Sequence, residues 1–256
     1  VKFTVEYLEF IILVFIRIAS LMITAPFFNS SMIPRKAKLA MSFFFSLVAV
    51  NMLDFSALQY NGIAGYAAMV LQEAITGAMI GFSAGMCMYI LNFSGHMIDM
   101  EIGFSMAQEF DPATNVQSTI SANLFSQLFL ILFILSDMHY FVIDAVYDSY
   151  QLIPIGGANL SANFVEIMGT YIADYFVIGF RIILPIFSCI LVINVVLGIL
   201  AKVAPQMNMF VIGMQLKVFI GLFLLFMLMG FLPNIVDFLF QEMQELTKMF
   251  MNALAS

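Results

Sequence analysis

The sequence predicts an all-α membrane protein built from about six hydrophobic helical segments. Three observations carry that expectation. First, 63% of the 256 residues are hydrophobic and only 10% are charged, against about 25% in an ordinary soluble domain. Mean hydropathy is +1.03, and a soluble globule of this size must cover its surface with polar groups that this chain does not possess. Second, the apolar residues gather into runs close to the roughly 20 residues that cross a bilayer. Third, charges and turn-forming residues collect between those runs. A soluble enzyme, a nucleic-acid binder and a disordered tail are excluded on these grounds. The net charge of −7, from 9 Lys and Arg against 16 Asp and Glu, also opposes binding to a phosphate backbone. Trp is absent, so the nine Tyr are left to occupy the lipid interface.

The first segment is Tyr7–Phe28, interrupted by Arg17 and ended by Pro26. The N-terminus carries Glu6 and Glu9 rather than a basic region, and no small-residue cleavage site follows. The segment is therefore expected to stay in the mature protein rather than act as a signal peptide. The second is Leu39–Leu58. The third, Ile63–Phe93, is interrupted by Glu73. Its 31 residues exceed a hydrocarbon core of about 30 Å at about 1.5 Å per residue, so it must tilt, break or leave the lipid. The fourth is Ala122–Leu135, with an extension toward Val146. The fifth, Tyr175–Leu200, holds Arg181 and Pro185. The sixth, Val218–Phe240, holds Pro233 near its end.

The connections differ in charge. Arg35, Lys36 and Lys38 follow the first segment, and Lys202 and Lys217 flank the turn after the fifth. Placing these five inside, against Lys2 and Lys248 outside, predicts an N-out, six-pass topology. The connections Gly95–Ser121 and Ser136–Asp174 carry no Lys or Arg.

Several motifs point to packing rather than chemistry. Gly77, Gly81 and Gly85 recur every four residues and form one smooth ridge on a helix, which lets another backbone approach closely. Gly81–Gly85 also matches G-x-S-x-G around Ser83, but that hydrolase pattern needs a strand-to-helix turn, and here it lies in a helical run. His96, Asp99 and Glu101 lack the spacing of a metal site, so no metal is expected. No cofactor motif is present either. His139 is placed at the end of the fourth segment, where a helix C-terminus favours a cation. Cys87 and Cys189 sit in apolar runs and read as small packing residues. Arg17, Glu73 and Arg181 are costly in lipid. They fit either an ion pathway or buried pairing inside an assembly.

The connection Gly95–Ser121 is the most informative. From Ile98 to Met106 apolar residues alternate with others, and by period alone this predicts an extended strand. Phe110, Asp111 and Pro112 then signal a turn, followed by Asn115 and a hydroxyl-rich stretch. A long loop bearing Met and Phe between membrane segments is usually functional, able to line or block a pore.

At this loop the chain resembles the FliR/SctT family of flagellar and type III secretion export-gate proteins. The matching stretches are RIASLMITAPFFNSSMIPRKAK (Arg17–Lys38), GFSMAQEFDP (Gly103–Pro112), LIPIG (Leu152–Gly156) and GILAKVAPQMNMFVIG (Gly198–Gly213). They run in family order across nearly the whole chain. The resemblance implies a non-enzymatic subunit in the bacterial inner membrane, at the flagellar basal body. It would assemble with FliP and FliQ into a gate for unfolded flagellar subunits and meet FlhB and FlhA. It implies a FliP-like part over 1–170 and a FliQ-like helical hairpin over 171–256. A plug over about 103–119 would carry Gly103, Phe104, Met106, Phe110, Asp111, Pro112 and Asn115. The tip Pro205, Gln206, Met207 and Asn208, between the last two helices, would face the cytoplasm. In the family, 98–102 is mostly helix, against the strand that periodicity suggests. The competing reading is a secondary transporter for a small solute, suggested by the intramembrane charges and by Pro185 and Pro233. The two halves of the chain do not mirror each other as transporter repeats do.

Overall fold

Helix is the only regular structure among the described residues of the computed structural model, which are 5–25, 28, 33–53, 58, 60–104, 119–159 and 162–255. The order is α1 (Val5–Thr24), α2 (Arg35–Met52), α3 (Gly62–Ile102), α4 (Ile120–Leu135), α5 (Met138–Leu152), α6 (Ala162–Val203), α7 (Met209–Met229) and α8 (Leu232–Ala255). The predicted all-α membrane class is therefore what the chain adopts.

Each helix follows from its residues. In α1, Phe10, Leu13, Val14, Arg17, Ile18 and Leu21 fall at spacings of three and four and are all buried, the single stripe that a core-facing helix presents. Helix α2 buries mainly small residues, Ser42, Ser46 and Ala49, and packs on α1. The two serine hydroxyls satisfy themselves by donating to Lys38 O and Phe43 O. In α8, buried Leu232, Val236, Leu239, Met243, Leu246 and Phe250 again repeat at three and four.

Membrane crossing is narrower than the six predicted passes. Among the described residues four helices are long and apolar enough, α1, α3, most of α6 and most of α7; the bent pair α4–α5 makes at most a fifth. Helix α2 drops out because Arg35, Lys36 and Lys38 occupy its first turn, and α8 because it carries Asp237, Glu242, Glu245 and Lys248. The fourth segment does not run on to Val146 as one helix. It bends by 70° between α4 and α5, where Asp137 takes a left-handed φ of 57°. His139 thus stands in the first turn of α5, not at a helix C-terminus. The sixth segment also divides, at Gly230–Phe231. Pro233 sits in the first turn of α8, where a missing N–H costs nothing.

The predicted strand over Ile98–Met106 is corrected over its described start. Residues 98–102 are the last turn and more of α3. Burial gives the reason: Ile98 and Ile102 are fully buried while Met100 is 61% exposed. A strand would put all three on one face; a helix puts 98 and 102 together and turns 100 away.

Helices α3 and α6 have 41 and 42 residues, about 60 Å each. Neither fits upright within a hydrocarbon core of about 30 Å, and tilts beyond 40° are not seen. By contacts the chain divides into two compact units. One is Val1–Met86 with Phe133–Tyr171 and Phe240–Ser256; the other is Cys87–Leu132 with Ile172–Leu239.

Candidate functional site

The polar groups inside the first unit form a brace. Arg17 of α1 and Glu73 of α3, both fully buried, make a two-point ion pair: Nε to Oε2 at 2.6 Å and Nη2 to Oε1 at 3.0 Å. The guanidinium also donates to Ser149 Oγ at 3.1 Å and to the carbonyl of Ile153. Its carbon lies 4.2 Å from the centroid of the Tyr150 ring, a cation–π distance. The second carboxylate oxygen accepts the Gly156 N–H at 2.9 Å. Gly156 has φ of 74°, and a Cβ there would overlap the Met69 side chain. Only glycine serves both demands. The cluster ties α1, α3, α5 and the turn after α5 together, and every donor has an acceptor, which is what makes a buried charge tolerable. Arg17 and Glu73 therefore satisfy each other within the chain and need no neighbouring subunit. Outside the spans, Tyr60 donates to Glu9 Oε2 at 2.8 Å, and that hydrogen bond to a carboxylate raises its phenol above the ordinary range.

The glycine ridge of α3 faces α1. A Cβ on Gly77 would overlap Arg17 O and Ser20 Oγ, and one on Gly81 would overlap Thr24 Oγ1 and stand 2.8 Å from Leu21 O. Gly85 is also buried. The carbonyl of Arg17 thus rests on Gly77 one turn from Glu73, so the close approach of the two helices sets the distance over which the ion pair forms. Ser83, between the glycines, is fully buried. Its hydroxyl lies 2.8 Å from Ile80 O and 2.8 Å from Thr247 Oγ1. It is mid-helix and enclosed, so the nucleophile geometry that its motif requires is missing.

In the second unit, the roots of the long loop are held together. Asp99, fully buried near the end of α3, accepts the Ser121 N–H at 2.9 Å and the Ser121 hydroxyl. Ser121 is in the first turn of α4, so the carboxylate satisfies a donor that the helix start leaves open. One turn back, Gly95 touches Ala122, with a Cβ position 2.5 Å from its backbone nitrogen. Asn92 Oδ1 accepts from Ser126 at 2.7 Å. Gly103 ends α3 with φ of 95° and donates to Asp99 O at 3.0 Å. Thr119, at the other root, has a buried hydroxyl without a partner among the described residues. Phe104 is half-buried, whereas Met106, Phe110, Asp111, Pro112 and Asn115 lie outside the described residues. The sequence pointed to the loop but not to Asp99 as its fastener. The signal was there in an acid at one root and a Ser at the other, at the start of an apolar run.

The tip Pro205, Gln206, Met207 and Asn208 is a tight, exposed turn joining α6 to α7, with Met207 N donating to Ala204 O at 3.1 Å. A further helix, α8, follows, so these are not the last two helices. The tip does not line the cleft at the loop root. That cleft, about 260 Å³, brings Glu101 and Gly103 near Asn194, Leu197, Met214 and Lys217. Helix α7 comes close there because Gly221 lies against Ile102. His96 Nδ1 lies 2.8 Å from Asn92 O, one turn earlier. Cys87 is buried with its thiol donating to Leu239 O at 3.1 Å, but Cys189 is exposed on α6 rather than packed.

Most of α6 and α7 is uncovered. Only 28% and 22% of their most apolar stretches are buried. Arg181 is exposed on this surface and has no hydrogen-bond or ion-pair partner among the described residues.

These features define a class: a helical membrane protein whose interior polar groups brace helices and fasten a loop. The chain belongs to the bacterial export proteins, family 1, whose model matches residues 8–243, and the resemblance to the FliR/SctT family is borne out. Among its relatives, one from Pectobacterium carotovorum is 27% identical over 242 residues, covering 94% of this chain and 92% of its own. One from Buchnera aphidicola of Acyrthosiphon pisum is 30% identical over 226 residues, 87% of each. One from Escherichia coli K12 is 26% identical over 235 residues, 90% of this chain and 88% of its own. Each of these relatives is named flagellar biosynthetic protein FliR.

Proposed function

We propose that this chain is a structural subunit of the flagellar protein-export gate in the bacterial inner membrane, built with FliP and FliQ. One observation carries the need for partners. Large apolar side chains are exposed along α6 from Val165 to Val203, a length of about 57 Å. A bilayer core of about 30 Å, even crossed at 40°, covers about 40 Å of helix. The remainder requires protein. In this reading 1–170 is the FliP-like part and 171–256 the FliQ-like part. These are divisions by sequence kinship and differ in kind from the compact units defined by contacts.

The loop 103–119 acts as the plug, with Asp99 and Ser121 fastening its two roots. The tip Pro205–Asn208 meets FlhB, with FlhA close by, and unfolded flagellar subunits are the cargo. The transporter reading loses support because Arg17 and Glu73, two of its three intramembrane charges, are consumed by each other. The test is co-purification from cells making FliP and FliQ, with native mass measured. A hetero-assembly containing this chain is expected; a self-contained monomer or homodimer overturns the proposal.

A further inference from the structure

We propose that the cleft between α1 and α2 is a binding site for an anionic phospholipid. The cleft holds about 390 Å³ and is lined by Ala19, Met22 and Ile23 of α1 and Arg35, Lys38, Leu39 and Ser42 of α2. That is a ligand-sized volume. Its two halves differ in chemistry. One is apolar, with Ile23 and Leu39 each more than half exposed. The other is cationic, with no acidic residue in its lining.

Acidic residues are absent from this part of the sequence. Between Glu9 and Asp54 there is no Asp or Glu, and there are four cations, Arg17, Arg35, Lys36 and Lys38. Glu73 neutralises Arg17. The other three fall within one turn. Arg35 and Lys36 are exposed and have no ion pair among the described residues. They also stand at the start of α2, where the helix itself is positive, and no acidic residue accompanies them. Cations are unfavourable there, so an external anion would relieve both repulsions.

Depth selects the anion. Helix α1 has 20 residues and is apolar enough to span, which makes it about 30 Å long, one hydrocarbon core. Ala19, Met22 and Ile23 lie in its last six residues. The cleft therefore sits at the end of a span, where lipid headgroups are, with Arg35, Lys36 and Lys38 at phosphate level. A basic pocket between helices at this depth is suited to an anionic lipid headgroup. A lipid fills both halves, with phosphate on the cations and acyl chain over Met22, Ile23 and Leu39. A free phosphate would leave the apolar half open.

The experiment retains the full chain in nanodiscs of phosphatidylcholine with increasing phosphatidylglycerol and reads bound lipid by native mass spectrometry. Phosphatidylglycerol is expected to be retained at least about tenfold over phosphatidylcholine, with the preference falling as salt rises. The variant R35Q/K38Q should weaken its retention by roughly 30-fold, from the usual effect of two cations beside an anionic surface. Leu39→Asn should weaken it with the cations intact. Equal retention of the two lipids in the unaltered chain overturns the proposal, and that comparison needs no variant. Displacement by millimolar inorganic phosphate, or indifference to Leu39→Asn, would show a free-anion site and also overturn it. So would cross-linking of Arg35 to a protein carboxylate in place of lipid.

Discussion

Replacing Glu73 with Leu leaves Arg17 as a charge enclosed in the first unit with no counter-charge. Two charge-assisted hydrogen bonds, of 2.6 and 3.0 Å, disappear. The Gly156 N–H loses its acceptor as well. What remains for the guanidinium is Ser149, the Ile153 carbonyl and the Tyr150 ring, none of them charged. Removing one partner of a buried pair typically costs about 3–5 kcal/mol. For a chain of this size each kcal/mol moves the unfolding midpoint by about 2–4 °C, so a fall of about 6–20 °C is expected. The assay is thermal loss of the helical circular-dichroism signal of the purified chain in detergent. The double variant R17M/E73L should recover most of the loss, because an apolar replacement of both partners removes the stranded charge. A midpoint for Glu73→Leu equal to that of the unaltered chain would refute the brace. A double variant no better than the single one would refute uncompensated charge as the cause.

Further outcomes follow from the same geometry. Gly81→Leu should destabilise the chain even without partners, by more than the roughly 1–3 kcal/mol of ordinary overpacking, because its side chain would meet the Leu21 backbone; the same melting assay reads it. Asp99→Ala should loosen the loop roots, raising protease cleavage within 103–119 and leakage of small solutes through cells, and deleting 106–118 should raise leakage with assembly preserved. Unchanged permeability in a normally assembled deletion variant would remove the plug role. Ser83 should not react with a fluorophosphonate probe, since it is fully buried; labelling that disappears in Ser83→Ala would reverse that expectation.

Helix α1 was legible because its long apolar run ends ahead of Pro26, whereas α2 begins at Arg35, four residues before the apolar run that starts at Leu39. Failures came where a local pattern competed with a longer one. The alternation at Ile98–Ile102 reads as a strand only if the preceding helix is ignored. Asp99 and Glu101 break the apolar run without breaking the helix, because Asp99 is satisfied by Ser121, 22 residues away. The upstream start of α6 at Ala162 was hidden by its polar mixture before Tyr175. Pairing across the fold was not legible at all. Arg17 and Glu73 are 56 residues apart, and one sequence marks both as costly without saying that they meet. The glycine ridge pointed to a close helix contact, but not that α1 of the same chain lies over Gly77 and Gly81.

The most direct measurement replaces single residues on α6 with a photo-cross-linking amino acid in cells that make FliP and FliQ. Val195 and Ile199 are exposed, at 56% and 60%, and Ile190 is fully buried. If α6 presents a gate-building face, positions 195 and 199 should form adducts with FliP or FliQ, while position 190 should not. Protein adducts absent along the whole exposed stretch from Val165 to Val203, with the chain present in the membrane, would contradict the account.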